Sequence, residues 1–191
     1  MRLFVALEIP AAVRDNLAAF LNDMRKLSDQ LTEKHVRWVP PENLHVTLKF
    51  IGEVADAKLD GIRAALSTVH SDAPLDFRLQ RLGFFPDEKR PNVLWTGLDA
   101  STGLPTLAGD IDRALAQEDI EKERSAFVPH LTLARFAAPG LHQKLLAAIR
   151  ENGEREFGSF QAREFHLIKS TLKPTGAEYT TLTSFPITRE A

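Results

Sequence analysis

The stretch HVTLKF, which begins at His45, returns as HLTLAR at His130, and the elements around the two copies follow in the same order. Arg2–Ile9 is a largely apolar run that reads as a buried strand. Pro10 opens a helix at a position that proline tolerates. Val13, Leu17, Phe20, Leu21, Met24, Leu27 and Leu31 then form its apolar stripe. A short strand, Arg37-Trp38-Val39, stops at Pro40-Pro41, and HVTLKFIG follows. Leu59, Ile62, Leu66 and Val69 mark a second helix, and Leu75–Phe85 alternates loosely as an antiparallel strand does. The charged, turn-rich segment Phe85–Asn92 then separates the halves, and the order starts again. Val93–Leu98 is a strand, Leu104, Leu107, Ile111 and Leu115 lie on a helix, and Phe127-Val128-Pro129 leads into HLTLARF. A helix with Leu141, Leu145, Leu146 and Ile149 comes next. The strands Phe165–Ser170 and Tyr179–Leu182 close the chain, with Thr175-Gly176 turning between them.

Each half thus reads strand, helix, H-x-T-L strand, helix, strand: a repeat of pattern more than of letters. Two such units are expected to pack as a bilobal α+β fold, with helices covering the outer face of each antiparallel sheet. The expectation is one domain over residues 1–191, with approximate halves 1–86 and 92–191. Two-fold related lobes would set the two tetrapeptides opposite each other across a central groove. A hydrophobic share of 43% and a charged share of 26% suit a soluble chain with a substantial core. There are no cysteines, which excludes disulfides, thiol nucleophiles and Cys-based metal sites and fits a cytoplasmic location. The net charge of −2 argues against binding nucleic acid through bulk positive charge, so contact with RNA is expected at a local site such as a strand end. The N-terminus reads as a first strand, not a signal peptide, and no apolar run is long enough to cross a bilayer.

Side chains alternate across a strand, so His45 and Thr47 share one face and Val46, Leu48 and Phe50 the other. His130 and Thr132 share a face in the same way. One such strand is an ordinary solvated sheet face; two at repeat-equivalent positions point to a shared cleft. An imidazole with an unperturbed pKa of about 6.5 can accept a proton while a charged partner donates one. Phosphodiester hydrolysis needs both roles, because water must lose a proton and the leaving oxygen must gain one. The threonine hydroxyls can hydrogen-bond non-bridging phosphate oxygens as charge builds on them. A metal is not required for this scheme, and H-x-T-L supplies one histidine per strand with no obvious third ligand for a catalytic zinc. No serine-nucleophile elbow, P-loop or dinucleotide fingerprint is present.

With both motifs in place, the chain resembles the 2H phosphoesterase superfamily, and within it the LigT-like RNA 2′,3′-cyclic phosphodiesterases, also called the 2′-5′ RNA ligase family. The resemblance covers RLFVALEIP, PENLHVTLKFIGEV, NVLWTGL, VPHLTLARF and the closing hairpin. It implies a bilobal α+β fold with both histidines in a central groove. The implied reaction is hydrolysis of 2′,3′-cyclic phosphate RNA ends to 2′-phosphomonoesters. It assigns His45 as proton donor to the leaving 3′ oxygen and His130 as the base that activates water. Thr47 and Thr132 match the phosphate-contacting hydroxyls. No cofactor or metal is implied, and the expected partner is RNA with a 2′,3′-cyclic phosphate end, or a cyclic nucleotide, bound by a monomer. Other activities within the superfamily are 2′-5′ ligation and cleavage of 2′,5′-linked or small cyclic phosphates. A non-catalytic RNA-end binder is the reading from another class.

Arg135 matches an arginine five residues after the second histidine, suited to clamp a phosphate oxygen. Strict alternation sets it on the face opposite His130, so a twist or bulge is needed to bring it round. Lys49 falls on the His45 face by the same alternation and is a second candidate for substrate binding. Among Trp38, Phe84, Phe85 and Trp95, one is expected to stack on a base. His35, His70, His142 and His166 have no repeat-related partner and read as structural or surface residues, as do Arg37, Lys89 and Arg90.

Overall fold

Leu3, Val5 and Leu7 alternate along β1 (Arg2–Glu8) and are each no more than 1% exposed, so the first strand is committed to the core. The computed structural model describes residues 1–31, 34–100, 103–137, 141–174 and 176–188. Helix α1 (Ala11–Gln30) follows and buries Val13, Leu17, Phe20, Leu21 and Met24 along the stripe expected of it. Then come β2 (Val36–Trp38), β3 (His45–Glu53), α2 (Leu59–Ser67), β4 (Leu75–Phe85), β5 (Val93–Ala100) and α3 (Gly103–Ala116). The chain continues through β6 (His130–Phe136), α4 (Gln143–Glu151), β7 (Glu156–Ala162), β8 (Glu164–Lys173) and β9 (Gly176–Pro186). Leu141 precedes α4, whose first turn is capped by the His142 side chain accepting from the Lys144 amide. Thr175 of the expected final turn lies outside the described residues.

The strands make two antiparallel sheets, β3-β1-β8-β9 and β2-β6-β5-β4-β7. With the four helices this is the bilobal α+β architecture expected from the repeat. The sheets cut across the two halves of the sequence, however. Residues 1–86 supply β1 and β3 to one sheet but β2 and β4 to the other, and the second half divides likewise. Strand exchange between the halves gives the lobes a common core, in which a single cluster of buried side chains runs from Leu3 to Ile187. Among the described residues no helix is long and apolar enough to cross a membrane.

Strand β7 is an element that alternation does not announce. Its buried residues Phe157 and Ala162 are five apart, so they cannot both face the core on a regular strand. A register shift opposite Leu79/Gln80, beside Gly158 at φ +133°, turns the strand over between them.

Candidate active site

The H-x-T-L strands are not regular, and they depart from regularity in the same way. Glu8 pairs with His45, Leu7 with Val46 and Ala6 with Thr47, but Val5 pairs with Lys49, which leaves Leu48 as an extra residue. On β6, Gly97 pairs with His130 and Trp95 with Thr132, but Leu94 pairs with Ala134, which leaves Leu133 extra. Both bulges therefore fall on the leucine of the motif. Each extra leucine is buried, and each bulge reverses the alternation beyond it. The residue five after the histidine, Phe50 or Arg135, joins the His/Thr face. The residue four after it, Lys49 or Ala134, turns to the core.

Both faces open onto one groove of about 950 Å³, lined by His45, Thr47, His130, Thr132 and Arg135. The loops that enter the two strands orient the rings alike. His45 Nδ1 lies 2.6 Å from the carbonyl of Asn43, and His130 Nδ1 lies 2.8 Å from that of Val128. A carbonyl only accepts, so each Nδ1 carries a proton and donates it. That leaves each Nε2 as the nitrogen available for proton transfer. Aromatic rings hold the imidazoles in place. Phe4 is tilted against His45 at 4.8 Å and Tyr179 meets it edge-on at 5.2 Å, while Phe85 meets His130 edge-on at 4.9 Å. Trp95 backs Phe85, and it lies across Gly83, where any Cβ would collide with the indole.

Burial holds the pKa of His45 below its ordinary value; the bond to the Asn43 carbonyl opposes this, and the Arg135 positive charge adds to it. Arg135 thus acts across the groove on the histidine of the other sheet. Burial pushes the Tyr179 hydroxyl up, with Arg135 and Arg2 pulling the other way. Two consequences are measurable. In Arg135→Gln the imidazolium loses a like charge, so the His45 pKa followed by NMR titration should rise towards the ordinary value. Since the unfolded chain binds this proton more tightly than the folded one, His45 contributes a loss of stability. That loss grows as pH falls from about 6.5 towards the lowered folded value. Thermal melts of His45→Gln should therefore lose less stability than wild type on acidification through that window.

Four of the six candidate site residues line the groove on the expected face: His45, Thr47, His130 and Thr132. Arg135 joins them because of the bulge at Leu133. Lys49 also borders the groove, but its ammonium is engaged elsewhere. Its register partner is Val5 of the core face, and it is only 3% exposed. Its Nζ sits 2.7 Å from Asp112 Oδ1, 2.6 Å from the Glu121 carbonyl and 3.6 Å from Glu123 Oε1. The ammonium is spent on fastening α3 and the segment after it to β3, so it is not a phosphate ligand. Alternation erred here because the bulge at Leu48 exchanges the faces of Lys49 and Phe50.

Of the expected aromatics, Phe85 reaches the groove, whereas Phe84 packs on Phe136 and Trp38 packs against the core. Arg37, Lys89 and Arg90 are exposed. His166 is buried and bonds Ser184 Oγ at 2.9 Å. Sequence reasoning missed Phe4 and Tyr179. The sole tyrosine of the chain, on a strand otherwise rich in threonine, was the available signal. Among the described residues no group of three or more His, Cys, Asp or Glu side chains is arranged to hold a metal ion.

A family model described as "LigT like Phosphoesterase" matches residues 7–95 and 98–179. A Methanocaldococcus jannaschii protein named RNA 2′,3′-cyclic phosphodiesterase is 35% identical over 179 residues, covering 94% of this chain and 96% of its own. A protein of the same name from Methanothermobacter thermautotrophicus is 31% identical, covering 97% of this chain and 98% of its own. The crystal structure of TT0787 of Thermus thermophilus superposes with a TM-score of 0.81 at 30% identity over the whole of both chains.

Proposed function

The chain belongs to the LigT-like phosphoesterase family, and we propose from that premise that it hydrolyses 2′,3′-cyclic phosphodiester ends of RNA to 2′-phosphomonoesters. The observation that carries the reading is the pair of carbonyl-anchored histidines on one groove, each presenting Nε2. In the proposed reaction the cyclic phosphate lies between the two rings. Neutral His130 takes a proton from water through Nε2 as the water oxygen bonds to phosphorus. Charged His45 gives its Nε2 proton to the 3′ oxygen as the P–O3′ bond breaks. One proton enters at His130 and one leaves from His45, and exchange with solvent restores both. These roles follow the family resemblance; the two anchoring bonds alone leave the rings equivalent.

Thr47 and Thr132 stand one position past the neighbour of each histidine, on the same face, and donate to the non-bridging oxygens. Arg135 adds positive charge from the His130 strand, across the groove from His45, where it attracts the anion. A phosphate held there also offsets the repulsion that Arg135 exerts on imidazolium, so substrate binding favours the protonated His45 that the donor role requires. The names of these relatives agree with the substrate.

The test is incubation of a short RNA ending in a 2′,3′-cyclic phosphate with the protein in excess chelator, followed by determination of the product phosphate. Turnover to a 2′-phosphate is expected. A 3′-phosphate product, or turnover only with an added divalent ion, would overturn the mechanism. No turnover would overturn the activity.

A further inference from the structure

His130 takes its aim from a carbonyl that no regular element holds. Residues 121–129, between α3 and β6, belong to no helix or strand, and the Val128 carbonyl that accepts from His130 Nδ1 lies near their end. Val128 is itself 51% exposed, so its own packing does not fix that carbonyl. The other histidine is supported differently. Its acceptor, Asn43, closes the 3₁₀ turn Pro41–Asn43, and the Asn43 side chain donates to the Ala177 carbonyl at 2.8 Å. Leu44, which joins that turn to His45, is buried.

Residues 121–129 are tied down by Lys49 instead. Its ammonium donates to the Glu121 carbonyl at 2.6 Å and pairs with Asp112 Oδ1 at 2.7 Å. Asp112 Oδ1 also accepts from the Glu123 amide at 3.1 Å, and the Glu123 carboxylate lies 3.6 Å from the ammonium. One cation, 3% exposed, thus holds the segment directly at Glu121 and through Asp112 at Glu123. Separating a buried charge from its partners is costly, so the tie is stiff. From Glu123 the segment runs along the groove, where Ser125, Phe127 and Val128 line the wall, and it enters β6 at His130. Lys49 lies four residues past His45 on β3. The tie therefore joins the strand of one histidine to the segment that aims the other, across the two sheets.

A neutral imidazole carries one proton, on either nitrogen. His130 can accept a proton at Nε2 only when its own sits on Nδ1, and the Val128 carbonyl keeps it there only while that carbonyl stays in place. We infer that Lys49 is a positioning residue for His130: through Glu121 and Asp112 it holds the segment whose Val128 carbonyl sets the tautomer of the base. The inference rests on the base role proposed for His130 and adds the group that maintains it.

The experiment compares wild type, Lys49→Met and the double variant Lys49→Met/Asp112→Leu, each well below its melting temperature. Nitrogen-15 spectra of the imidazoles at about pH 8, above the usual histidine range, report which nitrogen of each ring holds the proton. Both rings of wild type should hold it on Nδ1. In both variants His130 should become a mixture of tautomers while His45 stays as in wild type. For an RNA with a cyclic phosphate end, kcat should fall by about 10–100-fold and KM change by less than about threefold. The double variant separates positioning from stability. Asp112→Leu removes the stranded carboxylate but gives the Glu121 carbonyl no donor, so kcat and the His130 spectrum should stay impaired as the melting temperature recovers. Recovery of kcat together with the melting temperature would overturn the inference and leave Lys49 a purely structural residue. So would a wild-type His130 spectrum in Lys49→Met, since the packing of Phe127 on the core would then suffice to hold Val128. If wild type turns over no cyclic phosphate end, the base role fails, and the His130 spectra decide the positioning separately.

Discussion

Replacing His45 or His130 with alanine should lower kcat/KM for a cyclic phosphate end by about 10²–10⁴-fold, and the double replacement should cost little more than the worse single one. The magnitude is that of one general acid or base. The lack of additivity follows from the geometry. Each ring has its Nδ1 tied to a carbonyl and its Nε2 on the common groove, so the two serve one phosphate from opposite sheets. When either proton transfer is lost, the other has less to assist. Circular dichroism and melting of the variants should stay close to wild type, because both rings are only partly buried and belong to the groove. Two single losses that multiply in the double variant would mean that the histidines act independently.

Lys49→Met should destabilise the fold by about 3 kcal/mol, at the low end of the range for breaking a buried ion pair. A domain of this size then melts about 6–12 °C lower. Methionine keeps the stem and its packing against the core but removes the ammonium. Asp112, whose side chain is 20% exposed, is left with an uncompensated charge, and the Glu121 carbonyl loses its donor. Water can reach Glu123, at 50% exposure, and this is why the upper end of the range is not expected. Adding Asp112→Leu should return part of the loss, since the cost lies in the stranded carboxylate more than in the missing attraction. A Lys49→Met protein within about 0.5 kcal/mol of wild type would fit a solvated lysine at the groove rim, and would contradict the buried network.

What local pattern can show and what it cannot are separated here by three bulges. The order of elements, the helix stripes and the common face of His45 with Thr47 and of His130 with Thr132 all depend on near neighbours, and those were legible. Beyond Leu48 and Leu133 the period of two fails by one residue. Phe50 consequently read as core although it stands on the groove, Lys49 read as a free cation although its ammonium is held by Asp112 and the Glu121 carbonyl, and Arg135 needed a bulge that its sequence does not mark. The same slip near Gly158 hid β7 altogether. Sheet membership was hidden for a different reason. Pairing of β1 with β8, or of β4 with β7, joins segments far apart in the chain, and nothing in either segment names its partner. Tyr179 owes its place against His45 to that long-range pairing, which sets β9 and β3 in one sheet.

The claim at the centre is that His45 and His130 divide the acid and base roles at one phosphate. The most direct test is the pH dependence of kcat/KM for the wild type and for the two alanine variants at their residual rates. Wild type should give a bell. His45→Ala retains only the base, so its rate should rise with pH to a plateau. His130→Ala retains only the acid, so its rate should fall as pH increases. Opposite slopes in the two variants would place one role on each histidine in the order proposed. A bell that survives in either variant would contradict the account, because the group behind the missing limb would then lie elsewhere.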